Sequence, residues 1–599
     1  MTEEEKDNEP AVTDGLNGLV AAIEAADGVG AARATELDRE FKSRLAALFR
    51  GMSPIEIATA YFDWLSHLAI SPGKQLQLLQ SLLKKASLLG LHGVAALAGN
   101  GRDGPAKRLE RRVSGPEWQN WPFSLFAQAH ELGREFFDEA TADVAGLSPA
   151  HRKLVRFLNQ QVIDALSPAN FPLTNPLVLQ ATREESGRNL GRGLKNAAKD
   201  ALALLGNGSR EPSPGFEVGE DLGITPGKVV FRNDLFELIQ YSPATDKVGA
   251  EPVLFCPAWI MKYYILDLSP KNSLVRYLVE QGKTVFMMSW KNPGADDADV
   301  GFEDYVHDGV MTALDAVTAI CPRRKVHAVG YCIGGTLLCV AAAAMARDGD
   351  ERLKSVSLFA AQADFTEAGG ITAFISDSQL EFLDNVMWKE GVLSSDKMGG
   401  AFGALHASDL IFGSGVNRYL LGKPDHQIDL MAWNADGTRM PYRMHTEYLH
   451  KLFLRNELAT NKFAVGGRPV SLGDITVPLF VLGTETDHVA PWQSVFKLRS
   501  LTNTELTFLL TSGGHNAGVI SGPEHPRRRY RMQRRQPGDR YVDPDTWLAD
   551  NEPVPGSWWP AWNDWLDEHS GAERDPPGYG AAKKGYEVLG DAPGTYVFG

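Results

Sequence analysis

The sequence predicts an α/β protein in which a helix-covered parallel sheet follows a mainly helical N-terminal domain. Short β-rich runs alternate with helical segments after about residue 216, whereas the apolar spacing before that point is helical throughout. The composition, 43% hydrophobic and 23% charged residues, is that of a globular protein. With 599 residues, the chain is long enough to form several domains.

The N-terminal third is predicted to form one helical domain, residues 21–205. Its apolar residues recur at helical spacing between Gly and Pro breaks, and no strand-like alternation stands out. Residues 1–20 are polar and acidic, so we expect a disordered segment rather than a secretory signal. The Gly- and Pro-rich residues 206–215 are predicted to form a connecting loop.

Residues 216–599 are predicted to form the α/β domain. Apolar runs separated by helical segments are what a parallel sheet covered on both faces requires. Between about residues 361 and 464 lies a Gly-, Phe- and Trp-rich stretch that is too long for an ordinary connection, which predicts an inserted cap. The predicted strands are Val229–Phe231, Leu235–Tyr241, Val253–Cys256, Thr284–Ser289, Lys325–Gly330, Ser355–Phe359, Val477–Gly483 and Glu505–Leu510.

Charge and cysteine content argue against several classes of protein. The net charge of −15 disfavours a nucleic-acid scaffold, which needs a basic surface. The four cysteines form no C-x-x-C pair, so neither a disulfide framework nor a zinc site is expected, and the cytoplasm is the default location. The stretch from His327 to Ala346 lacks charged residues, but its glycines predict a strand, a tight turn and a helix rather than a transmembrane segment.

The sharpest local pattern is Gly330-Tyr-Cys332-Ile-Gly334, placed between a predicted strand and a predicted helix. This is the nucleophile elbow of the α/β-hydrolase fold, with Cys in the position where Ser is usual. The turn exposes the thiol at a helix N-terminus, where the helix dipole favours the thiolate. The alternative is that Cys332 is a small buried hydrophobic residue, as we expect Cys339 to be.

An elbow predicts an acid and then a histidine, each just after a later strand. Asp487 and His515 occupy those positions, and with Cys332 they complete a candidate Cys-His-Asp triad. Glu485 and His488 compete with them. Each candidate also has a simpler interpretation, a turn aspartate or a loop histidine.

The oxyanion hole is predicted to use two backbone N–H groups. One belongs to Ile333, which directly follows the nucleophile, and the other to the loop after the strand ending near Cys256, with Trp259 or a neighbour as donor.

The sequence resembles the polyhydroxyalkanoate synthases, specifically their single-polypeptide class I type. The resemblance extends from about Ser167 to residue 599 and includes several motifs in one order. These motifs are Ser167–Pro176, Lys262–Leu268, Val285–Pro293, the Cys332 elbow, Trp433-Asn434, Gly483–Trp492 and Gly556–Pro560. The chain departs from the family at Ile260-Met261, where Ile-Asn is usual, and at Pro257-Ala258, where Pro-Pro is usual.

The resemblance implies an enzyme with Cys332 as nucleophile, His515 as base and Asp487 as acid. It implies repeated transfer of (R)-3-hydroxyacyl units, expected to be 3-hydroxybutyryl units, from coenzyme A to a growing polyester. Neither a metal nor a bound redox cofactor is implied. The family also implies a cytoplasmic homodimer on its own polyester granule, with the helical N-terminal domain as the expected granule contact.

The sequence leaves two other functions open. A cysteine α/β-hydrolase, such as a thioesterase or a dienelactone-hydrolase-like enzyme, would share the triad but transfer the acyl group to water. A non-catalytic granule scaffold would keep the fold without the chemistry. The Arg-rich Arg527–Arg535 is either a coenzyme A phosphate contact or a solvated surface segment, and Trp558, Trp559, Trp562 and Trp565 are expected to pack a C-terminal helix.

Overall fold

The computed structural model describes residues 36–44, 52–98, 109–205, 216–395, 397, 412–424 and 428–599. The segment 1–20 that we predict to be disordered and the predicted loop 206–215 lie outside the described residues, as do parts of the predicted N-terminal domain and cap.

The described part of the N-terminal region is helical. Several helices begin with a proline at their first position, where the missing N–H costs nothing, and Asn175 caps one of them by accepting from the N–H groups of Leu177 and Val178. Trp64 packs in a small apolar core and donates its indole N–H to the carbonyl of Ala140 at 2.9 Å. Residues 36–44 are also helical, and the named helices are α1 (Pro54–Ala69), α2 (Pro72–Leu97), α3 (Phe123–Thr141), α4 (Pro149–Ala165), α5 (Pro176–Glu184) and α6 (Arg188–Leu205).

An 11-stranded sheet dominates the rest of the described chain. Its strands are β1 (Gly227–Arg232), β2 (Phe236–Tyr241), β3 (Val253–Cys256), β4 (Val285–Trp290), β5 (Val326–Tyr331), β6 (Leu353–Phe359), β7 (Leu479–Thr484), β8 (Leu506–Thr511), β9 (Arg529–Arg535), β10 (Val554–Pro555) and β11 (Gly590–Asp591). Each of the eight predicted runs is a strand, with ends that differ by at most about two residues.

The strand order is β10-β9-β8-β7-β6-β5-β3-β4-β2-β1-β11. The stretch from β8 to β4 is parallel, as predicted, and antiparallel strands flank it on both sides. Because parallel strands share one direction, the carboxyl ends of β5, β7 and β8 meet at one edge of the sheet, where ligands bind in open α/β folds.

Helices cover both faces of this sheet. Side chains of β5 alternate between two apolar cores, Val326 and Ala328 in one and Val329 and Tyr331 in the other. The α-helices of four residues or more in this described part of the chain are α7 (Leu274–Glu280), α8 (Thr312–Ile320), α9 (Ile333–Asp348), α10 (Asp377–Glu390), α11 (Asp429–Ala435), α12 (Tyr442–Glu447), α13 (Trp492–Phe496), α14 (Leu498–Leu501), α15 (Pro544–Asp550) and α16 (Trp559–Glu568).

The long connection between β6 and β7 contains α10, α11 and α12. It also contains two small antiparallel ladders, Val392–Leu393 with Met440–Pro441 and Ala464–Val465 with Arg468–Pro469. The described part of the predicted cap is thus an insertion between two parallel strands.

No helix among the described residues combines the length and the apolar character needed to cross a membrane. The uncharged stretch from His327 to Ala346 is β5, a turn and the greater part of α9, in agreement with the sequence pattern.

Strand β9 is the longest of the three strands of this sheet that the sequence patterns missed, the others being β10 and β11. We predicted Arg527–Arg535 to be either a phosphate contact or a solvated segment, but most of it forms an antiparallel strand beside β8. Its arginine-rich sequence does not indicate a strand, because a run of like charges usually indicates a solvated surface.

Candidate active site

Cys332 lies in the tight turn that joins β5 to α9. Its backbone has φ 55° and ψ −126°, a conformation that a non-glycine residue rarely adopts. The Cys332 N–H donates to the carbonyl of Phe359 at 2.9 Å, which ties the turn to β6. The thiol is partly exposed, whereas Cys256, Cys321 and Cys339 are buried.

Glycines around the turn allow this geometry. A Cβ atom on Gly334 would lie 2.5 Å from the carbonyl oxygen of Pro257, and one on Gly330 would lie 2.9 Å from that of Gly334. Only glycine fits at either position without a shift of backbone. The predicted elbow is therefore present in the fold.

Asp487 lies in the turn after β7, with its side chain fully buried. One carboxylate oxygen accepts the backbone N–H groups of Val489 and Ala490, each at 2.8 Å. The other accepts the Thr484 hydroxyl at 2.9 Å and Nδ1 of His515 at 2.8 Å. Each oxygen of Asp487 thus has two donors.

His515 lies in the loop after β8. Its Nδ1 bonds Asp487, which leaves Nε2 as the ring nitrogen available to Cys332, and the charge of Cys332 acts on this imidazole. The structure therefore brings the three predicted residues together in the order Cys332, His515, Asp487.

The charges of the site shift the titration of His515 and of Asp487. Burial disfavours the imidazolium of His515, but the charges of Asp487 and the Cys332 thiolate outweigh it, so the pKa of His515 is raised well above its ordinary value. Burial also disfavours the Asp487 carboxylate, yet His515 and the two backbone N–H groups lower the Asp487 pKa overall. By contrast, burial raises the pKa of the Cys339 thiol to about 12, which makes Cys339 a poor nucleophile.

The two competing candidates, Glu485 and His488, lie in environments that differ from those of Asp487 and His515. Glu485 accepts from Arg529 at 2.9 Å and from Arg531 at 2.8 Å, so its carboxylate joins the loop after β7 to β9. His488 is exposed. Asp487 is therefore the acid whose hydrogen bond reaches His515.

The two predicted oxyanion donors lie on segments that pack against each other. Ile333 is the first residue of α9, and N–H groups in a first helical turn lack intrahelical acceptors. The crowding of Gly334 by Pro257 places the loop after β3 beside that turn. The Trp259 ring stacks on Tyr305 with centroids 4.4 Å apart. The donor roles of Ile333 and Trp259 stay predictions.

An aromatic group from the inserted region lies near the nucleophile. Tyr448 packs edge-on against Phe365 and Phe453, with ring centroids 6.1 and 5.2 Å apart. Burial and then the charge of Cys332 raise the pKa of Tyr448 well above its ordinary value. These three rings form an aromatic wall in the predicted cap, and Tyr448 is the ring that the charge of Cys332 reaches.

Three side chains that we did not assign to the site hold the His515 loop. Trp558 and Trp559 donate their indole N–H groups to the carbonyls of Gly518 and Val519, each at 3.0 Å. Arg528 donates to the carbonyls of Ser512 at 3.0 Å and Ala517 at 2.6 Å.

The structure also shows the surroundings of the tryptophan cluster and of the arginine-rich stretch Arg527–Arg535. The four tryptophans are buried in and beside α16, so the packing role predicted for them is confirmed. Of the arginine stretch, Arg534 pairs with Glu568 and Arg535 donates to the carbonyl of Thr502, whereas Arg527 is exposed. Most of these guanidinium groups are thus engaged within the fold. No pattern in the sequence could have revealed such partners, because they lie far apart along the chain.

Comparison with known proteins gives consistent matches. Residues 109–278 match the family described as "Poly-beta-hydroxybutyrate polymerase (PhaC) N-terminus", and residues 31–74 match "Poly-beta-hydroxybutyrate polymerase N terminal". Residues 251–519 match "alpha/beta hydrolase fold", which confirms the predicted fold of the core.

Curated relatives match most of the chain. The poly(3-hydroxyalkanoate) polymerase subunit PhaC of Rhizobium meliloti (strain 1021) is 38% identical over 508 residues, 84% of this chain and 82% of that protein. The poly(3-hydroxyalkanoate) polymerase of Methylorubrum extorquens is 39% identical over 497 residues, 82% of this chain and 80% of that protein. The PhaC subunit of Cupriavidus necator (strain ATCC 17699) is 34% identical over 543 residues, 89% of this chain and 90% of that protein.

Proposed function

Because this chain belongs to the poly(3-hydroxyalkanoate) polymerase family, we propose that Cys332, His515 and Asp487 carry out its polymerisation through an acyl thioester on Cys332. The observation that supports this mechanism is the 2.8 Å bond from Nδ1 of His515 to Asp487, with Cys332 beside the same imidazole at the carboxyl edge of the sheet. The proposed substrate is (R)-3-hydroxybutyryl-coenzyme A.

In the first step, the Cys332 proton passes to Nε2 of His515 and the thiolate attacks the carbonyl carbon of the substrate thioester. The bond from that carbon to the coenzyme A sulfur breaks, and the leaving thiolate takes the proton from His515. One thioester replaces another, so little free energy is lost and the acyl group stays activated.

In the second step, the 3-hydroxyl oxygen of another unit attacks the acyl carbon on Cys332. The hydroxyl proton passes to Nε2 of His515, an oxoester forms, the bond to the Cys332 sulfur breaks, and the released Cys332 thiolate takes that proton from His515. This step is downhill because an oxoester is more stable than a thioester. The cycle assigns no step to a metal or a redox cofactor.

Asp487 is better suited to orient His515 than to remove the hydroxyl proton itself. Both carboxylate oxygens already accept two hydrogen bonds each, and the lowered pKa of Asp487 makes it a weak base. We assign the hydroxyl activation to His515 on these grounds.

The aromatic wall around Tyr448 supports a role for the cap in excluding water. Hydrolysis would release the acyl group from Cys332 and end chain growth. Apolar rings next to the thioester would favour attack by the growing chain over attack by water.

The test is release of free coenzyme A from (R)-3-hydroxybutyryl-coenzyme A, with the product sized by light scattering. We expect high-mass polyester from the wild type, no release from Cys332→Ala, and retained activity in the matched control Cys339→Ala. Release of only free 3-hydroxybutyrate would support the hydrolase alternative. If no release occurs with this or longer acyl chains, the scaffold alternative is favoured.

We further propose that the enzyme acts as a homodimer on its own cytoplasmic polyester granule, with α2 as a granule contact. Leu76, Leu79, Leu83, Val94 and Leu97 of α2 are all exposed against the described residues, and their spacing places them along one side of the helix. Leu79→Ser with Leu83→Ser should shift the protein from sedimented polymer to the supernatant without loss of coenzyme A release. Unchanged sedimentation would exclude this contact, and a monomer in sedimentation equilibrium would exclude the dimer.

A further inference from the structure

A second connection links the nucleophile turn to the His515 loop without passing through Asp487. Tyr331, the last residue of β5, donates its hydroxyl to Oδ1 of Asn516 with an oxygen–oxygen distance of 2.5 Å. Tyr331 directly precedes Cys332, and Asn516 directly follows His515. This hydrogen bond therefore joins the chain neighbours of the nucleophile and the base.

The Tyr331 ring also contacts the base. It stacks on the His515 imidazole with centroids 5.5 Å apart and an interplanar angle of 29°. Tyr331 is 2% exposed, so its ring has little freedom to move away. One face of His515 is thus held by Tyr331, while Nδ1 is held by Asp487.

The direction of the hydrogen bond is fixed by the chemistry of the two groups. Burial, followed by the charges of Cys332 and Asp487, raises the pKa of the Tyr331 phenol well above its ordinary value. The phenol therefore stays protonated at neutral pH and acts as the donor to the amide oxygen.

The strand order explains why a hydrogen bond between the nucleophile turn and the His515 loop is needed. Two strands, β7 and β6, separate β8 from β5, so the His515 loop must reach across the sheet edge to Cys332. Within the loop, the Asn516 carbonyl accepts the N–H groups of Val519 and Ile520, which holds the Asn516 backbone in a turn. Its side chain then spans the distance to Tyr331.

We propose that Tyr331 and Asn516 are positioning residues that set the distance and angle between the Cys332 sulfur and Nε2 of His515. The inference rests on the proposed roles of Cys332 and His515. Loss of the hydrogen bond would loosen the His515 loop, so that the imidazolium stabilises the Cys332 thiolate less well.

The test uses Tyr331→Phe, which keeps the stacked ring and removes only the hydroxyl. We expect kcat for coenzyme A release to fall about fivefold to tenfold with little change in KM, as loss of one net hydrogen bond implies. Without substrate, the pH profile for iodoacetamide alkylation of Cys332, followed by peptide mass spectrometry, should move to higher pH.

Asn516→Leu should give the same two changes, and the double variant should be no worse than either single variant, because both substitutions remove one hydrogen bond. The matched control is Tyr61→Phe, which removes a Tyr hydroxyl bond to Oδ1 of Asn159, 2.9 Å long, in the N-terminal region. Thermal melting verifies that each variant is folded.

A wild-type alkylation profile in folded Tyr331→Phe would overturn the inference, and so would independent, additive losses in the double variant. The alkylation readout needs no polymerisation. If the wild type failed to make polymer, the proposed function would fail while a shifted alkylation profile still upheld the positioning role.

Discussion

Asp487 shows how one side chain is specialised by its surroundings. Glu485 lies two residues earlier and carries the same charge, yet its carboxylate pairs with arginines of β9 while Asp487 faces His515. The difference follows from the turn after β7, which sends the two side chains in different directions.

We expect Asp487→Asn to lower kcat for coenzyme A release by about a thousandfold or more, as loss of the acid does in comparable triads. The amide cannot supply the charge that raises the pKa of His515, so the imidazole becomes a poorer partner for the Cys332 thiolate. Steady-state kinetics at constant pH measures the loss.

Glu485→Gln is the matched control for that substitution. It removes the charge from two ion pairs that are partly exposed, so we expect a loss of less than about tenfold. A larger loss in Glu485→Gln than in Asp487→Asn would show that the acid has been assigned to the wrong residue.

At this scale, the sequence alone placed the candidate triad, because the elbow motif and the order of strand ends constrain where an acid and a base can lie. It could not reveal the contacts of Tyr331 with Asn516 or of Arg528 with the His515 loop. Those contacts depend on the path of each loop across the sheet edge, which local patterns do not encode.

Among the elements, the junction of β5 and α9 is the most constrained. We expect Gly334→Ala to destabilise the protein by about 1–3 kcal/mol and to abolish coenzyme A release, because the added Cβ would press on the Pro257 backbone. The urea midpoint of unfolding and the release assay measure the two effects.

A suitable control is Gly191→Ala in α6, where no atom of the described residues outside the local helix backbone lies within 4 Å of the added Cβ. That substitution should raise helix stability by about 0.5–1 kcal/mol and leave release unchanged. If Gly334→Ala behaved in the same way, the close packing of the elbow against the β3 loop would be disproved.

The C-terminal helix α16 allows a test of the His515 loop. Trp558→Phe should cost about 1–2 kcal/mol of stability and also lower kcat, because the carbonyl of Gly518 loses its donor and the loop loosens. Trp562→Phe removes a bond of the same 3.0 Å length, to Oγ of Ser357, away from that loop.

Trp562→Phe should therefore lose stability without the specific fall in kcat. Thermal melting and steady-state kinetics on both variants separate the two effects. Equal kcat in the two variants would mean that Trp558 only contributes to packing.

The elements were more predictable where the hydrophobic pattern is strong. Apolar runs revealed all eight core strands, and the glycines around Cys332 revealed the turn between β5 and α9. Strand β9 was missed because its stability comes from pairing with β8 and from partners such as Glu485, rather than from its own apolar residues.

Across the whole molecule, two buried histidines predict sensitivity to acid. Burial, with nearby positive charges, lowers the pKa of His327 to about 3, and burial lowers that of His445 to about 4, from an ordinary value of 6.5. The folded state keeps both imidazoles neutral while the unfolded state protonates them below pH 6.5. Stability must therefore fall as the pH falls from 6.5 toward 4.

Each of these histidines should contribute a slope of about 1.4 kcal/mol per pH unit within that window. His515 contributes to folding stability in the opposite sense. Because its pKa is raised in the folded state, its contribution is present at low pH and is lost as the pH rises through that pKa. Asp487, with a lowered pKa, adds to the loss at still lower pH.

Urea titrations between pH 7 and pH 4.5 measure the slope. His327→Gln should reduce it by about 1.4 kcal/mol per pH unit relative to the wild type, and His307→Gln, at an exposed side chain, is the matched surface control. An unchanged slope in His327→Gln would show that His327 takes up its proton in the folded protein.

The indole contacts between α16 and the His515 loop also determine when the site is completed during synthesis. The nucleophile turn and its strand neighbours β3 and β6 leave the ribosome well before residue 515, and Trp558 and Trp559 follow later still. The base therefore gains its two indole contacts later in synthesis than the turn that carries the nucleophile, and the braced site exists only after residue 559 has been translated.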